Sequence, residues 1–318
     1  MYHKLSTTSL LICCFITAGL AQQKISKSFS GIQKIIVSTS AGDCLLKKSS
    51  NSEVRVDLEH TYDEGYKPVI DQEGDRLVVK EIFDRGSVKG KGQWIFTIPD
   101  GLDIRYNTGS GDFEATNLSF ELDMNTGSGD ILLKQISGEM RSNTGSGDIK
   151  LYDVDGEFNF NTGSGDIRIE EADGDLRVNC GSGDITMKDA KAMISANTGS
   201  GNINASGITL TGESSFNSGS GNAVVTLQSS LQYDISVNSG SGNASVDFNG
   251  NAIRGLVVMK ASKKHGKITA PFAFDKEEEI KQGPRKNGQV VIKKTAQLGD
   301  SDVRIRISTG SGIASIEK

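Results

Sequence analysis

The sequence predicts an all-β fold, a single-chain parallel β-solenoid whose coils are about 18 residues long. Two observations predict it: a Gly-Ser-Gly tripeptide that recurs at a fixed spacing, and apolar residues that alternate with polar ones between its copies. The composition agrees, because 38 glycines stand against 4 prolines and only 36% of the 318 residues are hydrophobic. The glycines have no period of three, which excludes collagen.

The Gly-Ser-Gly repeat keeps a strict interval through the middle of the chain and lengthens toward its end. Copies begin at residues 109, 127, 145, 163, 181 and 199, and then at 219, 240 and 310. A degenerate copy spans Thr39 to Asp43. Glycines at this interval would break long helices, whereas a fixed period of this length is typical of solenoids.

Between successive corners, five positions of each coil are apolar in nearly every copy. They alternate with polar neighbours, as in a strand with one buried face. The five columns include Phe113, Ala115, Leu118, Leu122 and Met124. The polar exception is Ser142, and we expect Phe160 of the next coil to fill the space beside it. We therefore predict two short strands per coil, stacked in parallel around a thin continuous interior.

The first 21 residues have the pattern of a signal peptide. Lys4 is followed by a short apolar stretch from Leu10 to Ala18 and by a small-x-small site, which predicts cleavage after Ala21. The stretch is too short to span a bilayer, so we expect an exported protein with no transmembrane segment. The alternative, lipidation at Cys13 or Cys14, lacks the small residue that should precede the modified cysteine.

Three further segments follow the signal peptide. Residues 22–100 are expected to form irregular β-rich coils and a cap, residues 101–250 the regular solenoid, and residues 251–318 a second set of coils and a cap with a charged loop at 276–287. Caps are expected because an open solenoid end exposes strand edges and apolar columns. In the first segment, strands are predicted at Ile35–Val37, Val54–Leu58, Arg76–Val79 and Trp94–Ile98.

The corner reads Asn-Thr-Gly-Ser-Gly-Asp, and its residue types suit a tight turn. We expect the glycines to supply positive φ angles, and Asn and Asp to accept hydrogen bonds from nearby amides. Stacking would also place the asparagines in one file, where their side-chain amides can bond to one another. The predicted structural corner residues are Asn125, Gly127, Gly129, Asn143, Gly145, Gly147, Asn161, Gly163 and Gly165.

The corner aspartates raise the alternative of calcium binding. Stacked carboxylates about 5 Å apart repel by about 1 kcal/mol per pair in water, and interleaved cations would relieve this repulsion. Each corner offers a single carboxylate, however, and later coils carry Asn202, Asn222 and Asn243 instead. A structural turn is therefore favoured, and no cofactor is expected. The calcium candidates are Asp112, Asp130, Asp148, Asp166 and Asp184.

Enzymatic and nucleic-acid-binding classes find no support in the sequence. After the signal peptide the histidines are His60 and His265, neither with metal-ligand spacing. The serines between glycines form no nucleophile elbow, and Gly-Ser-Gly lacks the third glycine of a dinucleotide site. The net charge of −5 without a basic stripe argues against nucleic acid. We expect no catalytic residues.

The corners, exemplified by the run Asn-Thr-Gly-Ser-Gly-Asp-Ile at residues 143–149, support a family resemblance. Together with the signal peptide and the less regular β-rich start, they resemble a bacterial family of β-strand-repeat proteins described as candidate adhesins. That family is a domain of unknown function similar to the head domains of auto-transporter adhesins. The resemblance covers residues 30–318, and the late Asn corners depart from its usual Asp.

The resemblance implies an exported, non-catalytic protein of the cell envelope that binds a surface protein or a glycan through exposed sheet faces. Its location would be the periplasm, the outer surface or the extracellular space. A periplasmic structural scaffold and a calcium-stiffened repeat protein stay open as alternatives, and no oligomeric state is assigned. Small polar residues that suit a binding face are Asn204, Ser206, Ser215, Ser236 and Ser245.

Overall fold

The predicted all-β solenoid is confirmed by a computed structural model, which describes residues 22–84, 89–282 and 289–318. Every regular element in these ranges is a β-strand, and the strands join into one open, mostly parallel sheet. The predicted signal peptide lies outside the described residues, as do residues 283–287 of the predicted charged loop.

The strands of the N-terminal third and of the regular coils are, in chain order, β1 (Gln23–Phe29), β2 (Lys34–Ser38), β3 (Asp43–Lys48), β4 (Val54–His60), β5 (Tyr66–Glu73), β6 (Arg76–Phe83), β7 (Gly92–Ile98), β8 (Leu102–Thr108), β9 (Phe113–Thr126), β10 (Ile131–Thr144), β11 (Ile149–Thr162), β12 (Ile167–Cys180) and β13 (Ile185–Thr198). The four runs predicted as strands in this segment lie within β2, β4, β6 and β7.

The later strands are shorter, and loops separate the two halves of each coil. They are β14 (Ile203–Leu210), β15 (Ser214–Ser218), β16 (Ala223–Leu227), β17 (Ile235–Ser239), β18 (Ala244–Asp247), β19 (Gly255–Ser262), β20 (Lys267–Thr269), β21 (Lys276–Gln282), β22 (Gln289–Leu298), β23 (Arg304–Thr309) and β24 (Ile313–Glu317).

The regular coils stack in parallel at an offset of one repeat. Ile131 of β10 lies opposite Ile149 of β11, which lies opposite Ile167 of β12. This register superimposes the five apolar columns, and their members in β9–β13 are all buried. Ser142 is fully buried opposite Phe160, and within the described residues its hydroxyl has no hydrogen-bond partner. The apolar columns therefore form one continuous interior along the stack.

Each regular coil contains one bent strand, where the sequence predicted two short ones. A residue in the left-handed region bends β9–β13 in the middle, and the parallel ladder skips this residue and then resumes. The five bend residues are Asn117, Gln135, Asp153, Glu171 and Asp189, with φ between 52° and 57°. Asn and Asp tolerate this conformation, but Gln and Glu rarely adopt it, so the bend left a weak sequence signal.

At the N-terminal end, the order of coils in the stack differs from their order in the chain. Strand β2 pairs in parallel with both β6 and β8, and β3 pairs in parallel with both β7 and β9. The coil of β2 and β3 therefore lies between the coil of β8 and β9 and the coil of β6 and β7. The coil of β6 and β7 is the outermost parallel coil at this end, although it comes later in the chain. Antiparallel strands then cover this outer coil: β4 pairs with β7, β1 with β4, and β5 with β6.

The C-terminal end follows the same plan. Strand β23 lies between β17 and β19, and β24 lies between β18 and β20, all in parallel. The last coil of the chain is therefore second from the end of the stack. Strand β22 then pairs antiparallel with β19, and β21 pairs antiparallel with β22. At both ends, the outermost parallel coil is covered by antiparallel strands.

Candidate functional site

The stacked corners form one edge of the solenoid, called here the corner edge and defined by residues 107–112 and their equivalents in later coils. Its asparagines are joined by side-chain hydrogen bonds. The Nδ2 of Asn125 donates to Oδ1 of Asn107 at 3.2 Å, and Asn143 donates to Asn125 at 3.0 Å. The ladder continues at 2.7–2.9 Å through Asn161, Asn179, Asn197, Asn217 and Asn238. Neighbouring coils are thereby held in register.

The aspartates of the corner edge form a second ladder, this time to the backbone. Oδ1 of Asp130 accepts the amide of Asp148 at 2.8 Å, and Oδ1 of Asp148 accepts the amide of Asp166 at 2.9 Å. In the later coils, Oδ1 of Asn202 accepts the amide of Asn222 at 3.0 Å. The contact needs one acceptor oxygen and no charge, which explains why Asn stands in these positions.

The five calcium candidates lie in this second ladder. Asp112, Asp130, Asp148, Asp166 and Asp184 each accept the amide of the following coil through Oδ1, at 2.6–2.9 Å. In the part of the chain that the structure describes, no group of three or more His, Cys, Asp or Glu side chains is placed to hold a metal ion. The aspartates are thus brought into one file, and each uses one oxygen for the next coil.

In most corners a buried threonine connects the corner to the preceding coil, a role that sequence reasoning missed. The Thr144 hydroxyl donates to the carbonyl of Gly129 at 3.3 Å and accepts the amide of Gly147 at 3.0 Å. Two coils later Cys180 takes this position, and its Sγ lies 3.1 Å from the Gly165 oxygen. Both cysteines of the described residues, Cys44 and Cys180, are buried and free. Burial raises the pKa of the Cys44 thiol.

The prediction that corner glycines supply positive φ angles is wrong, because none of the predicted corner glycines is in that region. Glycine is needed there for a different reason, the close approach of the preceding coil. A Cβ on Gly147 would lie 1.9 Å from the carbonyl oxygen of Gly129, and one on Gly145 would lie 2.3 Å from that of Gly127. The backbones of successive corners pack directly on each other.

Within the regular coils, the positive φ glycines lie instead near the bends, in a row that the sequence analysis missed. Gly156 has φ of 140°, and a Cβ there would lie 2.1 Å from the carbonyl oxygen of Gly138. Its signal was a weak one, a glycine shared by the three consecutive copies Gly138, Gly156 and Gly174.

A cluster of aromatic side chains lies around Glu81 at the N-terminal end of the corner edge. It is called here the aromatic group and comprises His60, Tyr62, Tyr66 and Trp94. Glu81 accepts hydrogen bonds from Trp94 Nε1 at 2.9 Å, from the Tyr66 hydroxyl at 3.2 Å and from the amide of Ser40 at 2.7 Å. Ser40 belongs to the degenerate first corner. Because Glu81 bonds both to the aromatic side chains and to the Ser40 amide, it connects the aromatic group to the first corner.

The aromatic group changes the acid–base properties of its members. Tyr62 and Tyr66 pack against each other with ring centroids 4.4 Å apart, and His60 packs on Tyr66 at 4.7 Å. Burial, with help from the charge of Glu81, raises the pKa of Tyr62 to about 12 and also raises the pKa of Tyr66. Burial lowers the pKa of His60. Within the described residues, His60 Nδ1 and the Tyr62 hydroxyl have no hydrogen-bond partner.

The opposite edge of the solenoid, called here the bend edge, carries the turns between the two halves of each coil. In the later coils these turns lengthen into loops, which enclose a groove of about 760 Å³. This loop groove is lined by Glu213, residues 230–234, Ala252, Arg254 and residues 301–303. Sequence reasoning missed it, although the spacing of Gly-Ser-Gly, which rises from 18 to 20 and then 21 residues, marks these insertions.

The outer sheet faces carry rows of small polar residues in the later coils. Parallel pairing places Ser195 opposite Ser215 and Ser215 opposite Ser236. On the other half of the coil, Asn204 and Ser245 lie two layers apart, on either side of Val224. Among the predicted binding-face residues, Asn204 and Ser206 are exposed, and Ser215, Ser236 and Ser245 are partly exposed.

The fold and the corner edge define an open, parallel β-solenoid of the repeat type. The chain belongs to the family described as Toastrack DUF4097, whose model matches residues 32–270. No curated protein matches the chain. In the described residues, no helix is long and apolar enough to cross a membrane.

Solved structures that resemble this chain are similar at low sequence identity. One, described as a "putative cell adhesion protein" from Clostridium sporogenes, is 16% identical, with 93% of this chain and 99% of that chain covered and a TM-score of 0.28. A "putative adhesin" from Parabacteroides distasonis is 11% identical, with coverage of 93% and 97% and a TM-score of 0.41. Another from Bacteroides fragilis is 10% identical, with coverage of 93% and 98% and a TM-score of 0.30.

Proposed function

We propose that the protein is an exported, non-catalytic adhesin or cell-envelope binding protein, which contacts a surface protein or a glycan through its exposed sheet faces. The observation that carries this proposal is the alignment of small polar residues into outward rows, such as Ser195, Ser215 and Ser236. Parallel pairing repeats each outward position about every 4.8 Å. An extended ligand can therefore make the same contact on several successive coils.

The placement of the histidines and serines supports a non-catalytic role. His60 is buried within the aromatic group, and His265 is exposed in the turn after β19. A serine nucleophile needs a base within hydrogen-bond reach. The exposed corner serines, such as Ser128 and Ser146, lie in the stacked Gly-Ser-Gly turns. The Asn and Asp side chains of these corners are bonded to the neighbouring coils.

A periplasmic structural scaffold is the second candidate function. The asparagine ladder, which runs from Asn107 to Asn238, favours it, because a continuous ladder stiffens the rod without requiring any outside ligand. A calcium-stiffened repeat is less supported. The Oδ1 atoms of the corner aspartates already accept amides of the next coil.

Protease accessibility on intact cells tests the proposal. Cells that produce the protein are treated with protease before and after the envelope is opened, and the surviving protein is followed by immunoblot. We expect digestion on intact cells, with a periplasmic protein as the protected control. If digestion requires an opened envelope, outward adhesion is excluded for that pool and the scaffold function takes its place.

A further inference from the structure

We propose that the loop groove on the bend edge is a binding site for a neutral, hydroxyl-rich oligosaccharide. This inference rests on the proposed adhesin function and adds to the sheet faces a separate site with a defined ligand class. The groove lies where the repeat departs from its regular period, and loops inserted into a solenoid collect on one face, which is often the binding face. Its volume, about 760 Å³, is in the range of small-molecule sites.

The groove crosses four neighbouring layers of the stack. Glu213 precedes β15, Asp234 precedes β17, Val303 precedes β23 and Arg254 precedes β19, and these strands are adjacent in that order. Three layer steps of about 4.8 Å give a groove about 14 Å long. The site is thus elongated along the solenoid axis, which suits a short linear chain of sugar rings.

The framework of the groove is fixed by hydrogen bonds between layers. Asp234 accepts the amide of Arg304 at 2.8 Å and the guanidinium of Arg306 at 3.4 Å, and its carbonyl accepts the amide of Ser214 at 3.0 Å. Asp234 therefore positions three successive layers. It is therefore a positioning residue, and its neighbours in the groove supply the groups that contact the ligand.

The binding groups around this framework match the chemistry of a sugar. Tyr233, 44% exposed, lines the groove, and an aromatic ring can pack against the apolar C–H side of a sugar. Asp302 and Arg254 are exposed, and Gln232 adds an amide. Carboxylate oxygens accept hydrogen bonds from hydroxyl groups, while guanidinium and amide groups donate hydrogen bonds to hydroxyl oxygens. Both the proton and the oxygen of a sugar hydroxyl therefore have a partner in the groove.

The charge of the groove selects among glycans. Three carboxylates, those of Glu213, Asp234 and Asp302, line it together with one guanidinium, that of Arg254. Arg306 offsets two of these carboxylates, because its guanidinium lies 3.4 Å from Asp234 and 4.0 Å from Glu213, so the charges at the groove nearly balance. A sialylated or phosphorylated ligand would therefore lose hydration in the groove without meeting a net positive charge. The apolar lining is limited to residues such as Leu231, Ala252 and Val303, which is too little for a purely hydrophobic ligand.

The experiment is an array of neutral, N-acetylated and sialylated oligosaccharides, probed with the labelled protein and followed by calorimetric titration of the best-bound neutral sugar. We expect neutral sugars to bind at least about tenfold more tightly than their sialylated forms. Tyr233→Ala should weaken binding about tenfold and Asp302→Asn about fivefold, while Tyr152→Ala, a tyrosine on a regular coil, should leave it unchanged. Unaltered melting temperatures would show that the variants fold.

Three results would overturn the proposal: no oligosaccharide bound, binding that survives Tyr233→Ala, or capture of a peptide rather than a sugar through Tyr233. Adherence of protein-coated beads to host cells separates this proposal from the adhesin function. If beads coated with the Tyr233→Ala and Asp302→Asn double variant adhere normally, the groove is not the site but the adhesin function stands. If unaltered protein neither adheres nor binds sugar, both proposals fail.

Discussion

The corner edge and the bend edge of this solenoid are made of the same coils but obey different constraints. At the corner edge, the regular coils repeat the same contacts: an Asn–Asn bond, a side chain that accepts the next amide, a threonine (Cys180 in one coil) that bonds to the preceding coil, and two glycines. At the bend edge, the left-handed residue varies from Asn117 to Gln135 to Glu171, and loops are inserted. The corner edge sets the period, and the bend edge is free to diversify.

The largest expected effect comes from adding one methyl group at the corner edge. Gly147→Ala should destabilise the protein by about 3 kcal/mol, because its Cβ would lie 1.9 Å from the Gly129 oxygen and the coils must separate. The measurement is urea unfolding, with the exposed neighbour Ser146→Ala as the matched control. Equal stability of the two variants would show that the corners do not pack as closely as described.

Removing the buried Thr144 hydroxyl at the corner edge should give the next largest effect. Thr144→Val keeps the shape of the side chain but leaves the Gly147 amide and the Gly129 carbonyl without this partner, so we expect a loss of about 2 kcal/mol. Thr144→Ser keeps the hydroxyl and should cost less than half as much. A valine variant as stable as the serine variant would mean that the buried methyl group, and not the hydroxyl, matters.

These corner contacts also show what the sequence could and could not predict. The columns through Phe113 and Ile131 were predictable, because period-two alternation reports burial directly. The threonine column was not, because a buried threonine has the same sequence pattern as an exposed one. Composition likewise cannot distinguish a glycine needed for positive φ from one needed for close approach, which is why the reason given for Gly147 was wrong.

The order of the coils at the two ends of the stack also could not be predicted from the sequence. Strands β2 and β23 carry the same alternation as their neighbours, so their pattern fits several positions in the stack equally well. The loop groove, in contrast, had a readable signal. The spacing from Gly199 to Gly219 to Gly240 exceeds the regular 18 residues, and the extra residues belong to the bend edge.

A smaller effect is expected from pH at the N-terminal end of the corner edge. Burial lowers the pKa of His60 below its ordinary value of 6.5, although Glu81 opposes this shift. The unfolded chain therefore binds a proton more readily, and stability should fall as the pH drops below about 6.5 toward the folded-state pKa. Melting temperatures at pH 7.5 and 5.5 measure this, and His60→Phe should reduce the difference. An unchanged difference would assign the pH dependence to groups other than His60.

At the bend edge, substitution can stabilise the protein. Gln135 has φ of 52°, a conformation that asparagine tolerates better than glutamine. Gln135→Asn should raise the free energy of unfolding by up to about 1 kcal/mol. Asn117, which already has the favourable residue at the equivalent bend, provides the control, because Asn117→Gln should have the opposite sign. Two changes of the same sign would contradict the role assigned to the bend.

The smallest effect should come from removing a charge at the corner edge, and it bears on the calcium alternative. Asp148→Asn keeps an oxygen to accept the Asp166 amide and loses only an exposed ion pair with Lys150 at 3.7 Å. We therefore expect a change within about 0.5 kcal/mol, against about 1 kcal/mol for Asp148→Ala, which lacks the acceptor. If asparagine were as harmful as alanine, and if calcium raised the melting temperature of the unaltered protein alone, the ladder would depend on charge and cations. Retention of stability with asparagine would mean that these aspartates serve the backbone of the next coil, as Asn202 and Asn222 do.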